Sequence, residues 1–123
     1  MAIAGMELQK KVEELTPHEL ASKLQDGEKF FIIDVREPFE FTGELGHIAG
    51  SINIPMQEIP ERFEELREMS ATGNLAFVCH SGERSYYACA YLNDVNLKNT
   101  CNVIGGMIKW HLSGLDVEYS DQG

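Results

Sequence analysis

The stretch CHSGERS, which begins at Cys79, joins a thiol to groups that stabilise an anion. A free cysteine is mostly protonated at neutral pH, and a nearby cation or helix N-terminus increases the nucleophilic thiolate fraction. Arg84, and His80 when protonated, would act in this way. Glu83 would oppose them if its carboxylate faced inward. The pattern predicts that Cys79 is a catalytic nucleophile, which requires its thiol to be exposed to reactants.

The residues after the cysteine are expected to form an anion-binding loop. Backbone amides of a loop that leads into a helix can point inward, and the helix dipole adds partial positive charge. Gly82 permits a turn that a side chain would obstruct. A single cysteine at the end of a strand is also commonly a small buried hydrophobe, so a structural role is the alternative. The residues expected to contact substrate are His80, Ser81, Gly82, Glu83, Arg84 and Ser85.

The spacing between Cys79 and Arg84 separates two kinds of cysteine chemistry. Cysteine-dependent phosphatases use a Cys-x5-Arg loop around a tetrahedral oxyanion, commonly with a histidine before the cysteine. Here the spacing is Cys-x4-Arg, and Val78 precedes the cysteine. The shorter loop makes a smaller cradle, suited to a sulfur atom. Phosphatase or arsenate-reductase activity is therefore the less favoured alternative.

Apolar runs and turn residues predict the strands that would position this loop. Buried strands of a parallel sheet are nearly continuous apolar runs. The sequence has five candidate strands, at Val12–Leu15, Phe30–Val35, Ser51–Pro55, Leu75–Val78 and Cys101–Ile104.

Helical segments are predicted between these strands. Thr16-Pro17-His18-Glu19 reads as a capping box that starts a helix ending near Leu24. A short turn is predicted from Pro38, and a last helix carries Ile108 and Trp110 to about Gly114. Two further helices have apolar stripes: one from Pro60 with Phe63, Leu66 and Met69, and one after the loop with Ala88, Tyr91, Leu92 and Val95.

The alternation of strands and helices predicts an α/β domain with a mainly parallel sheet of about five strands and helices on both faces. Ligands of such sheets bind at the carboxyl ends of the strands, where Cys79 is placed. With 123 residues, the chain is expected to be one domain, 1–123, with a core of about 12–114.

Composition limits the classes of partner and the cellular compartments that are expected for this chain. The formal charge of −10 argues against nucleic acid and anionic membranes. The first residues, MAIAGM, are too short and uncharged for a secretory leader, so a cytoplasmic protein is expected. Three cysteines without a CxxC pair favour reduced thiols, and Cys79-His80 is poor spacing for zinc. No metal or other cofactor is predicted.

Four segments together resemble the rhodanese family of sulfurtransferases, over about Val12 to Gly114. They are Cys79-x2-Gly82-x-Arg84-Ser85, Asp34-Val35-Arg36-Glu37, GHIAGSINIP from Gly46 to Pro55, and Val103-x-Gly105-Gly106-x3-Trp110. The resemblance implies a rhodanese-like fold and sulfur transfer through a Cys79 persulfide, without a cofactor. The donor would be thiosulfate or a thiol persulfide, and the acceptor cyanide or a thiol. A protein partner in a sulfur relay is also possible.

For several residues the sequence is compatible with two roles. Asp34 and Arg36 either orient the loop or form an ion-pair network with Glu40. His47 either makes a structural hydrogen bond or transfers a proton. Cys89 and Cys101 are either structural or resolving thiols, and Tyr86 and Tyr87 either border the pocket or cover the helix.

Glu83 and the acidic composition favour a persulfide donor over the thiosulfate dianion. The competing hypothesis is a binding or regulatory module of the same fold without catalysis.

Overall fold

The computed structural model describes residues 12–119 and contains one five-stranded sheet. The strand order is β1-β5-β4-β2-β3, and all neighbours in it run parallel. This confirms the predicted α/β architecture. Within residues 12–119, no helix is long and apolar enough to cross a membrane. The predicted lack of a leader in MAIAGM concerns residues outside those described. The strands are β1 (Glu14–Leu15), β2 (Phe30–Asp34), β3 (Ile52–Asn53), β4 (Asn74–Val78) and β5 (Thr100–Val103).

Helices connect the strands at the predicted places. The capping box of the first helix is present, with Glu19 N donating to Thr16 Oγ1 at 3.1 Å and Thr16 N donating to Glu19 Oε1 at 2.8 Å. Two 3-10 turns, Met56–Glu58 and Pro60–Arg62, precede the third helix. The α-helices are α1 (Pro17–Gln25), α2 (Pro38–Phe41), α3 (Phe63–Ser70), α4 (Glu83–Asp94) and α5 (Gly106–Leu112).

Each face of the sheet carries its own apolar cluster. On one face, Ile33, Leu75 and Phe77 of the sheet pack with Leu66 of α3 and Leu92 of α4. On the other face, side chains from the sheet pack with α1 and α5, and the members include Leu20, Ile32, Ala76, Val78, Val103, Met107 and Trp110. The alternation along β4 follows from the two-residue period of a strand. Helices therefore cover both faces, as predicted.

The buried stripe of α4 differs from the predicted one. Tyr91 and Val95 were expected to face the core, but they are 40% and 42% exposed. The buried members are Ser85, Ala88, Cys89 and Leu92. The predicted and the observed stripe share Ala88 and Leu92, and both fit helical periodicity. A prediction based only on which residues are apolar therefore chose the wrong face of the helix. Ser85 is buried because the Cys79 loop holds the start of the helix with this side chain turned inward.

The sheet topology brings two loops together at one edge. From β2 the chain passes to β3 on one side, whereas β4 lies on the other side of β2. The last residues of β2 and β4, Asp34 and Val78, are register partners. The loops that follow these strands diverge from this switch point, where ligands of open parallel sheets bind. Cys79 lies at this point.

Candidate active site

The loop between β4 and α4 folds back over the sulfur of Cys79. Gly82 N donates to Cys79 Sγ at 3.1 Å, and Ser85 N lies 3.4 Å from the same sulfur. The hydroxyl of Ser85 is 3.2 Å from it. These three groups are donors, and donors aimed at one atom favour negative charge on that atom. The geometry therefore suits a thiolate or a persulfide.

Glycine is needed at two positions around this loop, one within it and one in the helix packed against it. Gly82 immediately precedes α4 with φ of 104°, in the left-handed region, and a Cβ there would lie 3.0 Å from Gly105 N. Gly106, at the start of α5, has φ of 61°, and its Cβ would overlap the carbonyl oxygens of Cys79 and His80. Met107 N and Ile108 N donate to these two carbonyls at 2.8 and 3.1 Å. The first turn of α5 thus fixes the backbone beside the thiol.

A buried amide that sequence reasoning missed connects the loop to the first strand. Asn102, 1% exposed, places its Oδ1 2.5 Å from Ser85 Oγ. Its Nδ2 donates to Gly82 O at 3.2 Å and to Glu14 Oε2 at 3.0 Å. Because Nδ2 faces two acceptors, the amide orientation is fixed, and Oδ1 must face Ser85. The sequence signal available was a polar residue inside the apolar strand β5.

The expected exposure of Cys79 is wrong. This residue is 1% exposed and belongs to the apolar cluster on the α3 and α4 side of the sheet. The apolar contacts come from the sheet side, and the donors of Gly82 and Ser85 cover the sulfur on the loop side. A reactant therefore reaches the sulfur only when the loop or its side chains move.

Arg84 pairs with a carboxylate from another loop. Its Nη1 and Nη2 donate to Glu40 Oε1 and Oε2 at 2.9 and 3.0 Å. These bonds raise the pKa of Arg84 and lower the pKa of Glu40 from 4.5 to about 2. The sequence predicts that Arg84 supplies positive charge to the sulfur. In the structure, Glu40 already neutralises this guanidinium. Arg84 joins α2 to α4.

Asp34 and Arg36 form a buried ion pair between themselves. Arg36 Nε and Nη2 donate to the two Asp34 oxygens at 2.9 and 2.8 Å, and both side chains are at most 1% exposed. Arg36 Nη2 also donates to Gly46 O at 2.8 Å. Asn53 Nδ2 bonds the carbonyls of Asp34 and Arg36 at 3.0 and 2.9 Å. The predicted network therefore exists without Glu40, which bonds to Arg84.

His47 makes structural contacts with Phe41 and Glu118. Its Nδ1 is 2.9 Å from Phe41 O, and its ring stacks on Phe41 with centroids 3.8 Å apart. Its backbone forms an isolated antiparallel bridge with Glu118, and Nε2 is 3.7 Å from Glu118 Oε1. These contacts attach the segment around Glu118 to the loop after α2, in agreement with the structural alternative.

Two cavities flank the loop, and together they contain its exposed side chains. The first, which we call the α2 cavity, measures about 250 Å³ and is lined by Arg36, Phe39, Glu40, Gly43, Glu44, Leu45 and His80. The second, which we call the tyrosine cavity, measures about 430 Å³ and is lined by Glu14, Ser81, Gly82, Glu83, Tyr86, Tyr87, Asn102, Ile104 and Gly105. The loop thus presents His80 on one side, and Ser81 and Glu83 on the other.

The other two cysteines are buried thiols. Burial raises the pKa of the Cys101 thiol to about 12, and it raises the pKa of Cys89 further. All three cysteines are free. The raised pKa values leave Cys89 and Cys101 protonated at neutral pH, which favours structural roles over resolving ones.

The rhodanese-like domain family model matches residues 16–113. A relative named "Sulfurtransferase" from Allochromatium vinosum is 34% identical over 106 residues, covering 86% of this chain and 94% of the relative. The putative sulfur carrier protein YrkF of Bacillus subtilis is 33% identical, covering 80% of this chain and 51% of YrkF.

A solved structure shares the architecture. The crystal structure of a rhodanese-related protein from Thermoplasma volcanium superposes with a TM-score of 0.75 at 31% sequence identity. The match covers 88% of this chain and 99% of that one. Sequence and structure comparisons therefore identify the same family over nearly all of the described residues.

Proposed function

The chain belongs to the rhodanese-like domain family, whose relatives include proteins named sulfurtransferase, and from this premise we propose that it transfers sulfane sulfur through Cys79. The observation that carries the proposal is the convergence of Gly82 N, Ser85 N and Ser85 Oγ on Cys79 Sγ. Preorganised donors stabilise charge that develops on a reacting atom.

The proposed reaction is a two-step covalent transfer. The Cys79 thiolate attacks the outer sulfur of a persulfide donor, R–S–SH. The donor's S–S bond breaks, R–S⁻ leaves with the electron pair, and Cys79 becomes the hydropersulfide Cys–S–SH. With thiosulfate the leaving group is sulfite. In the second step an acceptor thiolate or cyanide attacks the terminal sulfur, and the electron pair of the broken S–S bond returns to Cys79.

The loop residues have separate roles in this proposal. The amides of Gly82 and Ser85 hold the sulfur, while His80 and Glu83 face the two cavities through which reactants approach. Asp34, Arg36 and His47 support the neighbouring loops. No metal or organic cofactor enters either step.

The partners proposed are a small sulfur donor and a small acceptor. Similarity to a putative sulfur carrier protein supports a place in a sulfur relay with a second protein. The three free cysteines suit a reducing compartment, and we place the protein in the cytoplasm.

A non-catalytic binding module is the second candidate, favoured by one observation. Cys79 is 1% exposed, and a thiol that never opened to solvent would not react. This candidate predicts that the loop serves recognition only.

Intact-mass measurement separates the two candidates. After incubation with a thiol persulfide or thiosulfate, the proposed enzyme gains one sulfur atom and loses it again on addition of cyanide. Cys79→Ser abolishes the gain, whereas the matched variant Cys101→Ser keeps it, because the Cys101 thiol is protonated at neutral pH. No gain with either donor would favour the binding module. A gain that survived in Cys79→Ser would remove the assigned nucleophile.

A further inference from the structure

The tyrosine cavity adjoins the Cys79 loop and has a distinctive charge. Its volume, about 430 Å³, lies within the range of small-molecule pockets. Among residues 12–119, Glu14 and Glu83 line it, and no lysine, arginine or histidine does. The α2 cavity also carries two glutamates, Glu40 and Glu44, but Arg36 and His80 line it as well. The tyrosine cavity is therefore the more acidic of the two approaches to the loop.

A buried amide fixes one of the two carboxylates. Asn102, which lines the cavity and is 1% exposed, donates from Nδ2 to Glu14 Oε2 at 3.0 Å. In the described part of the chain, no hydrogen-bond donor is directed at Glu14 Oε1, which leaves this oxygen open to a ligand. Glu83 lies in the first turn of α4. Within residues 12–119, neither carboxylate makes an ion pair with a lysine, arginine or histidine.

Two aromatic rings complete the lining. Tyr86 and Tyr87 meet edge to face with centroids 5.4 Å apart, and Tyr87 is 65% exposed. The face of an aromatic ring attracts a cation, and an exposed contact of this kind contributes about 0.5–1 kcal/mol. Carboxylates and aromatic faces both favour positive charge, so the cavity suits an ammonium group and disfavours an anion.

The cavity is also connected directly to the sulfur. Gly82 lines it and donates from its backbone N to Cys79 Sγ at 3.1 Å. Asn102 lines it and shares the Ser85 hydroxyl with the same sulfur. A ligand in the cavity is thus separated from Cys79 by the thickness of one loop, the loop that must move for the sulfur to be reached.

We propose that the tyrosine cavity binds the ammonium group of a small amine-bearing thiol, which is the acceptor of the sulfur carried by Cys79. This inference rests on the proposed sulfurtransferase function and specifies its substrate class. The acceptor thiolate attacks the terminal sulfur of Cys79–S–SH. The S–S bond breaks, Cys79 keeps the electron pair as a thiolate, and the acceptor leaves as a hydropersulfide that retains the proton.

Three acceptors of similar size test this class. Cysteamine carries a positive charge, 2-mercaptoethanol is neutral, and 3-mercaptopropionate is negative. The full chain is loaded with sulfur at Cys79, each acceptor is added at equal thiolate concentration, and loss of the sulfur is followed by intact mass. The expected rate order is cation, neutral, anion, with about a fivefold step from neutral to cation, typical of a partly exposed charge contact.

Matched variants locate the effect. Glu83→Gln and Glu14→Gln should each lower the ratio of the cysteamine rate to the 2-mercaptoethanol rate. Glu61→Gln, a change of the same type at an exposed site outside both cavities, should leave that ratio unchanged. Within residues 12–119 the Glu83 side chain makes no hydrogen bond or ion pair, so its variant remains testable if Glu14→Gln is unstable.

Different results would contradict this inference and the proposed function. A sulfur that loads on Cys79 but transfers at the same rate to all three thiols would overturn the ammonium proposal and leave sulfur transfer intact. A charge preference that persisted in both glutamine variants would also overturn it. Absence of loading would instead contradict the function itself.

Discussion

At the scale of single residues, the hydroxyl of Ser85 has one hydrogen and two acceptors. Cys79 Sγ lies 3.2 Å from the hydroxyl oxygen, and Asn102 Oδ1 lies 2.5 Å from it. A thiolate is the stronger acceptor, because a hydrogen bond to a charged group is stronger than one between two neutral groups. We therefore expect the hydrogen to turn to Asn102 while the thiol is protonated and to the sulfur when the thiolate forms.

The first prediction concerns Ser85→Ala. Removing the hydroxyl should slow sulfur loading of Cys79 about tenfold, since one hydrogen bond to a charged group contributes about 1.5 kcal/mol. The amides of Gly82 and Ser85 remain, so loading is slowed but not abolished. The measurement is the rate of sulfur gain under single-turnover conditions, with thermal unfolding as a check of the fold.

Ser51→Ala is the matched control, because Ser51 Oγ is a buried oxygen without a hydrogen-bond partner among the described residues. Its loading rate should equal that of the wild type. An unchanged rate in Ser85→Ala would show that the hydroxyl donates to Asn102 throughout, and the sulfur would then depend on backbone amides alone.

The part of the site that could be predicted from sequence is the part formed by residues close together in the chain. Cys79, Gly82 and Ser85 lie within seven positions, and the turn that joins them follows from glycine and from the start of a helix. Asn102 and Glu14 lie on other strands, and their contacts with the loop depend on the register of β1 with β5. Glu14 pairs with Asn102 in that register, which the apolar pattern alone does not specify. The burial of Cys79 was missed for a similar reason, since it depends on how helices cover the sheet.

At the scale of elements, an ion pair joins α2, which follows β2, to α4, which follows β4. Arg84 and Glu40 are 44 positions apart in sequence and form two hydrogen bonds. Glu40 also accepts from Glu37 N at 2.9 Å. The pair therefore ties α2 to the first turn of α4, beside the loop that must open for Cys79 to react.

The second prediction is that this pair stabilises the fold in a pH-dependent way. A double-mutant cycle with Glu40→Gln and Arg84→Met should give a coupling of about 1 kcal/mol at neutral pH, as for a partly exposed bidentate pair. Because the pKa of Glu40 is lowered from 4.5 to about 2, this contribution is fully present above pH 4.5 and is lost as the pH falls towards 2. Urea unfolding at several pH values measures it.

The exposed pair of Glu64 and Arg67 serves as the comparison, with side chains 69% and 59% exposed. Its coupling should be small at every pH. A Glu40–Arg84 coupling that stayed constant down to pH 2 would show that Glu40 titrates elsewhere.

The elements themselves were largely predictable, and the exceptions have physical reasons. Continuous apolar runs predicted β2 and β4, and the Thr16 capping box predicted the start of α1. These signals depend only on residues that are neighbours in the sequence. Two predicted strands were shortened, with Ser51–Pro55 becoming Ile52–Asn53 and Val12–Leu15 becoming Glu14–Leu15. Both are edge strands of the sheet, where a single neighbour limits the length of pairing.

At the scale of the whole molecule, the formal charge is −10. Such a surface repels anions at a distance and attracts cations, and the effect weakens with ionic strength. The tyrosine cavity adds two carboxylates to this field near the reactive loop. Thiosulfate is a dianion, so long-range repulsion opposes its approach before any contact with the loop.

The third prediction follows from this repulsion. Raising the salt concentration from about 20 mM to about 200 mM shortens the screening length several-fold, so kcat/KM with thiosulfate should rise. With the neutral persulfide of 2-mercaptoethanol, kcat/KM should change little, which makes it the internal control. We also expect the persulfide to be the better donor. The charge argument would be wrong if kcat/KM were about tenfold or more higher with thiosulfate than with the persulfide. It would also be wrong if added salt lowered kcat/KM for thiosulfate, because salt would then be weakening an attraction between the protein and the dianion.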